Sequence, residues 1–222
     1  MEKFEDRKQA GRQLAQKLQN DGQELCFDAV FGLPRGGVIV AAEVARALNL
    51  PLGILAVAKV ASLRNPEWAI GAVGELDILV WDWRTMPLEK ARANQSITSA
   101  RVKVDQNLRL FRPNGVPFPV QNSEAGVLIV DDGLATGTTM MAAIEVARKL
   151  EVKSIGVAVP VCFYSGRSVL SKMQVGLTSV MYVHGEYVGQ YYESFDDVPD
   201  DEVLQALNTT SSGRMSFHTP SV

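Results

Sequence analysis

The sequence predicts an α/β fold: a parallel sheet flanked by helices on both faces. Three observations carry this expectation. Short apolar runs at 26–32, 52–60, 78–81, 126–130, 154–161 and 177–183 alternate with segments that read as helices at 5–19, 37–48, 88–111, 138–150 and 166–175, the pattern of repeated strand–helix–strand units. The run VLIV at 127–130 has no polar alternation, as a central strand covered on both faces requires. Two strands pass directly through a glycine turn into a helix, at GLPRGG (32–37) and DDGLATG (131–137). Ligands of such sheets bind beyond the carboxyl ends of the strands, so these two turns are the first places to look for chemistry.

The elements follow in order. Ala10, Leu14 and Leu18 recur every four residues and give 5–19 one apolar helix face. The strand CFDAVFG ends in a glycine turn, and the helix at 37–48 opens on Gly36 and Gly37. LGILAVAKV at 52–60 reads as one strand, and the Gly-, Pro- and Asn-rich stretch at 61–75 as a loop or loose hairpin. In this stretch Trp68 is expected in the core. A short strand, ILVW, precedes a long polar helix at 88–111. Pro113, Pro117 and Pro119 forbid its continuation and mark a connector within one domain. The strand at 126–130, the turn, and the helix TTMMAAIEVARKL form the cleanest unit. After the strands at 154–161 and 177–183, the acidic start of PDDEVLQAL suits the first turn of a short helix. These elements make one domain over 1–207, with 208–222 expected to be a disordered tail.

Composition narrows the class. With 22 basic and 25 acidic residues the net charge is −3, which argues against a dedicated nucleic-acid binder. Any anion site must then be built locally from a few groups. Cys26 and Cys162 lie in or beside apolar runs and read as small buried side chains of a reduced compartment, not as a disulfide framework. The charged start MEKFEDRKQAG lacks the basic-then-apolar pattern of an export signal, and no apolar run reaches the ~18 residues that span a bilayer. A cytoplasmic protein without a membrane partner is expected.

Asp131 and Asp132 follow the VLIV strand directly. Two adjacent carboxylates are costly inside a sheet, but at a strand's carboxyl end they can face a ligand. Gly133 permits a tight turn, and Ala135, Thr136, Gly137, Thr138 and Thr139 lead into a helix whose free amides and positive dipole end suit a phosphate. An anion cradle and a carboxylate pair a few residues apart match the two ends of a sugar phosphate, with the carboxylates accepting from a cis-diol. In GLPRGG the glycines expose amides and Arg35 adds a fork of donors for phosphate oxygens. The spacing is neither a dinucleotide-binding G-x-G-x-x-G nor a Walker loop. His184, after a strand, reads as a structural hydrogen-bonding group, and His184 and His218 form no metal or nucleophile constellation.

The string VLIVDDGLATGTT resembles the signature of type I phosphoribosyltransferases, which bind 5-phosphoribosyl 1-diphosphate (PRPP). From Phe4 to Leu207 the chain is similar to a small group of bacterial proteins of that family whose acceptor is not established. The resemblance implies a small hood and a flexible lid loop added to the sheet. It implies that Asp131 and Asp132 hold the ribose, residues 135–139 the 5-phosphate, and Pro34, Arg35, Gly36 and Gly37 the diphosphate. Lys59, Arg64 and Glu67 would act catalytically from a lid at 59–75. The hood would comprise 161–166 and 184–207, with Tyr164, Tyr191 and Phe195 as candidates to stack on a planar base. Mg²⁺ is the implied cofactor, held by substrate and water and not by a dedicated set of protein ligands. The implied partners are PRPP and a small nitrogenous acceptor; the resemblance allows a homodimer, which no residue pattern fixes.

Two departures stand out. Ala58 precedes Lys59 where the group is expected to carry Arg, which leaves one cation fewer for the diphosphate. Ala135 stands where hypoxanthine–guanine enzymes typically place an aspartate near the base, so any general base must come from elsewhere, with Glu67 and Glu75 the nearest candidates. Phosphoribosyl transfer is the leading reading. A PRPP-sensing regulator on the same fold, or a hydrolase or kinase of a related sugar phosphate, stays open at this point.

Overall fold

The structure, a computed structural model, describes residues 3–22, 27–65, 68–112, 124–185 and 187–211. Cys26, Glu67, Pro113, Pro117, Pro119 and His218 lie outside them.

Five parallel strands form the main sheet in the order β2-β1-β6-β7-β8: β1 Ala29–Gly32, β2 Leu52–Ile54, β6 Gly126–Val130, β7 Ser154–Phe163 and β8 Gly176–Val183. Every residue of β1 and β6 is buried, which explains why neither shows polar alternation. The helices are α1 Arg7–Asn20, α2 Gly36–Leu48, α5 Thr138–Lys149, α6 Tyr164–Met173 and α7 Asp200–Ser211. Buried side chains of α1, α2 and α7 pack with Val30, Leu128, Val130 and Ala158, and those of α5 and α6 with Phe31, Ile129 and Val157, so the two faces of the sheet carry separate apolar layers. From β1 the chain crosses through α2 to β2 on one side; from β6 it crosses through α5 to β7 on the other. Strand order therefore reverses between β1 and β6, which pair in parallel with Gly32 opposite Val130. Their following loops open side by side at this switch point.

The apolar run at 52–60 is not one strand. It breaks after β2, and the chain re-enters as β3 Val57–Ala61 in a separate antiparallel sheet of order β3-β4-β5, with β4 Ala69–Gly74 and β5 Ile78–Trp81. At the break, Ala56 N–H donates to Glu75 Oε1 at 3.1 Å and Glu75 N–H donates to Ala56 O at 3.0 Å. The 61–75 stretch is thus a hairpin whose second strand is mostly buried. Only its tip stands out, and Trp68, expected in the core, is 67% exposed there.

The helix expected at 88–111 divides at buried Ala93 into α3 Pro87–Arg92 and α4 Asn94–Phe111. At the other end, α7 runs to Ser211, so 208–211 are helical and not part of a disordered tail; the hydroxyls of Thr209 and Thr210 donate back to Gln205 O and Ala206 O. The N-terminal segment joins the fold through Asp6, whose carboxylate caps α1 by accepting from Gln9 N–H at 2.7 Å. Phe4 pairs with Tyr192 beside it. No helix among the described residues is long and apolar enough to cross a membrane.

Candidate functional site

Asp131 and Asp132 leave the end of β6 facing the first turn of α2. An ideal β-carbon on Gly37 would stand 2.6 Å from Asp131 Oδ1, and one on Gly36 would overlap Asp132 Oδ2. The glycines of GLPRGG are required by this close approach as well as by any exposed amides. Asp132 N–H donates to Asp131 Oδ1 at 2.9 Å. Burial, followed by the charge of Asp132, holds the Asp131 carboxyl well above the usual carboxylate range. Burial also raises Asp132, against the opposing pull of Arg7.

Arg7 has no counterpart among the residues that the sequence pattern singles out. Its Nε donates to Asp132 Oδ2 at 2.8 Å and its Nη1 to Asp196 O at 2.9 Å, while the guanidinium lies 3.9 Å over the Phe195 ring. Tyr192 hydroxyl donates to Asp132 O at 2.6 Å, and burial pushes its phenol far above the normal range. The chain's first helix and its 191–198 segment thereby meet behind the carboxylate pair.

The turn after Asp132 runs into α5, which begins at Thr138. Gly137 adopts φ 82° and starts α5 without a side-chain cap, so the first helical amides are left for solvent or a ligand. The threonines differ in their availability. Thr138 is 2% exposed, and its hydroxyl donates to Asp82 Oδ2 at 3.3 Å and lies 3.1 Å from Thr136 Oγ1. Thr139 lines the neighbouring cavity. Asp82, just past β5, is gripped by Arg84 through Nε at 2.9 Å and Nη2 at 2.6 Å. Burial alone would raise the Asp82 carboxyl, but the bonds from Arg84, with a smaller one from Thr138, hold it below its ordinary value. Neither Asp82 nor Arg84 belongs to a recognisable motif.

A cavity of about 390 Å³ joins the two turns: Pro34, Arg35, Lys59, Lys103, Asp131 and Thr139 are among its lining residues. Lys59, one of the three residues expected on a lid, reaches it from β3. Arg64 is exposed near the hairpin tip and is not among the residues lining this cavity; Glu67 lies outside the described residues. Arg35, half exposed, donates to Val198 O at 3.1 Å and stands 3.6 Å from Asp200. Glu75 cannot be a free base: besides its bond to Ala56, its second carboxylate oxygen is held by Arg112.

The aromatic candidates separate. Phe195 is packed between Arg7 and Tyr192, with ring centroids 4.8 Å apart in the second pair. Tyr191 donates its hydroxyl to His184 O at 2.7 Å and packs edge-on to Phe163. Tyr164 is 44% exposed and lies against the His184 ring at 4.4 Å. The next residue, Ser165, donates to Ala135 O at 2.9 Å, which ties the start of α6 to the turn before α5. Cys162 is fully buried and its thiol is pushed up to about 11 by that burial, so it is no nucleophile at neutral pH.

The sequence profile described as "Phosphoribosyl transferase domain" matches residues 2–181. The chain belongs to this family. The phosphoribosyl transferase domain is 36% identical over 218 residues to "Putative phosphoribosyl transferase Rv0571c" of Mycobacterium tuberculosis, covering 94% of this chain and 47% of that protein. It spans about half the length of the curated relatives it matches. Among solved structures it resembles TT1426 from Thermus thermophilus, with a TM-score of 0.70 and 34% identity over 94% of this chain and 99% of that one. It shares its fold with a hypothetical protein from Neisseria gonorrhoeae crystallised with ppGpp, at a TM-score of 0.52 and 16% identity over 94% and 98% of the two chains. The fold is that of type I phosphoribosyltransferases: a five-stranded parallel sheet flanked by helices.

Proposed function

We propose that the chain binds PRPP with Mg²⁺ and transfers its phosphoribosyl group to a nitrogenous base, releasing diphosphate. One observation supports this most: the carboxylate pair, the α5 amides and the GLPRGG turn meet at one switch point, around a cavity that Lys59 also reaches. In this reading the α5 amides hold the 5-phosphate, Asp131 and Asp132 accept from the ribose hydroxyls, and Gly36, Gly37, Arg35 and Lys59 surround the diphosphate. The acceptor attacks C1 as the C1–O bond to diphosphate breaks, through a transition state with oxocarbenium character. The residues act mainly by positioning and by stabilising charge.

Among the described residues no cluster of three or more His, Cys, Asp or Glu side chains could cage a metal, and one carboxylate of the acidic pair is engaged by Arg7. Asp131, which lines the cavity, and the neighbouring Asp132 would face a Mg²⁺ carried in by the substrate. Such an ion neutralises the leaving group.

Tyr164 is an exposed aromatic next to Ser165, which bonds Ala135 O, and is proposed to stack on the base. With Ala135 unable to exchange a proton, hypoxanthine and guanine should be poor acceptors; a missing base typically costs ~10²–10⁴-fold in rate. The test is diphosphate release from PRPP and Mg²⁺ on adding a panel of nucleobases. Release with one base, present in the wild type and lost in Asp131→Asn, supports transfer. PRPP binding without release by any base would instead make the protein a sensor, and no PRPP binding would reject both readings.

A further inference from the structure

We propose that Arg7 is a positioning residue for the carboxylate pair: it holds Asp132 in place, balances the charge that two adjacent aspartates concentrate, and links that charge to the chain's 191–198 segment. This rests on the assignment of Asp131 and Asp132 to the ribose. The observation behind it is a three-way anchorage. One guanidinium donates to Asp132 Oδ2 at 2.8 Å and to Asp196 O at 2.9 Å, and stacks 3.9 Å from the Phe195 ring. Both charged side chains are largely withdrawn from water, at 13% exposure for Arg7 and 18% for Asp132. Withdrawn charges attract or repel far more strongly than solvated ones, so a cation at this distance decides whether both aspartates can carry charge together.

The surroundings leave that task to Arg7. From the 191–198 segment, Tyr192 offers a hydroxyl, but to Asp132 O and not to its carboxylate. From the α2 side, Gly36 and Gly37 bring no charge and no room for a side chain. Arg35, Lys59 and Lys103 face the cavity on the Asp131 side, and Arg35 is turned to Val198 and Asp200. Around Arg7 itself, Asp6, Lys8, Asp196, Asp197 and Glu202 line a shallow cavity, with Lys8 paired to Glu202 at 3.0 Å. Arg7 is the cation that pairs with the Asp132 carboxylate. A ribose diol is accepted more fully by ionised carboxylates, since protonation turns one acceptor oxygen into a donor. Arg7 thus acts on the substrate through Asp132, without touching it.

The test compares wild type, Arg7→Gln and Arg7→Lys, using carboxylate carbon NMR of aspartate-labelled protein together with calorimetric PRPP binding in Mg²⁺ between about pH 5 and pH 9, a range that brackets a raised carboxyl. Arg7→Gln keeps a hydrogen-bonding side chain but no charge. It is expected to move the titration of the pair upward by about one unit or more and to weaken PRPP binding about tenfold or more at neutral pH, with recovery as the pH rises. Arg7→Lys is expected to restore most of both. Binding lost equally at every pH with unchanged titration, or a Lys variant no better than the Gln variant, would overturn the proposal. If Arg7→Gln unfolds at neutral pH, the proposal requires it to regain structure as the pH falls and Asp132 protonates; failure to do so also overturns it. Absence of PRPP binding by wild type would reject the functional reading alone, because the carboxylate titrations test Arg7 without any ligand.

Discussion

Gly37 touches Asp131 so closely that a β-carbon would sit 2.6 Å from Asp131 Oδ1 and 3.0 Å from Val130 O. The two turns, far apart in sequence, are therefore in van der Waals contact. Gly37→Ala should force them apart. The expected loss is about 1–3 kcal/mol of stability, as for other overpacked sites, together with loss of PRPP binding. Gly176→Ala is the control: nothing lies within 4 Å of its added carbon, and thermal melting should report a change of no more than about 0.5 kcal/mol. Equal effects of the two substitutions would show that the contact is not limiting.

Asp131 should trade stability for binding. Its folded carboxyl is raised above the ordinary value, so the native state binds more protons than the unfolded state. Its contribution to stability is therefore full at low pH and is lost as pH rises through the folded value. Asp131→Asn should raise the melting temperature in mildly alkaline buffer, by roughly 2–4 °C for each kcal/mol relieved, and the gain should vanish near about pH 4, where the unfolded carboxyl protonates. PRPP affinity should fall, each charged hydrogen bond lost costing roughly 1.5–3 kcal/mol. A melting temperature that drops in alkaline buffer would contradict this account.

Asp82 has the opposite sign. Arg84 holds its carboxyl below the ordinary 3.8, so its contribution is present above that value and is lost as pH falls through the lower folded one. Arg84→Ala should destabilise the protein at neutral pH by about 1–2 kcal/mol, less than a fully buried pair because Arg84 is half exposed. The difference from wild type should close below about pH 4 as Asp82 protonates. It should also release the clamp on Asp82, which accepts from the Thr138 hydroxyl, seen as altered ribose 5-phosphate affinity. A destabilisation unchanged by acid would point to lost packing.

Hydrogen exchange should divide the hairpin. β4 is paired on both sides, by β3 and β5, and residues 70–74 are buried, so its amides should exchange slowly with or without ligand. Residues near the tip, around exposed Leu63, Arg64 and Trp68, should exchange fast and slow down when PRPP and Mg²⁺ bind. Uniform exchange across the hairpin, or no response to ligand at the tip, would remove the case for a closing lid.

Units whose causes are local were legible in the amino-acid order alone. VLIVDDGLATGTT specifies strand, turn and helix because an unbroken apolar run, adjacent carboxylates and a glycine that reaches φ 82° each act within a few residues. The same holds for α1, whose fourfold spacing of Ala10, Leu14 and Leu18 became a buried face. Contacts between distant segments settled the rest. The run at 52–60 is uniformly apolar, and its break follows from Glu75 capturing Ala56 N–H, 19 residues away. That bond, with Arg112, also withdraws Glu75 from any proton transfer. Trp68 lies at a hairpin tip because β4 takes the central position in its sheet and leaves the tip outside. Arg7 meets Asp132 across 125 residues because α1 and the 191–198 segment come together beside the end of β6. Periodicity and turn chemistry record only near neighbours, whereas strand order and long-range ion pairs depend on which surfaces bury one another.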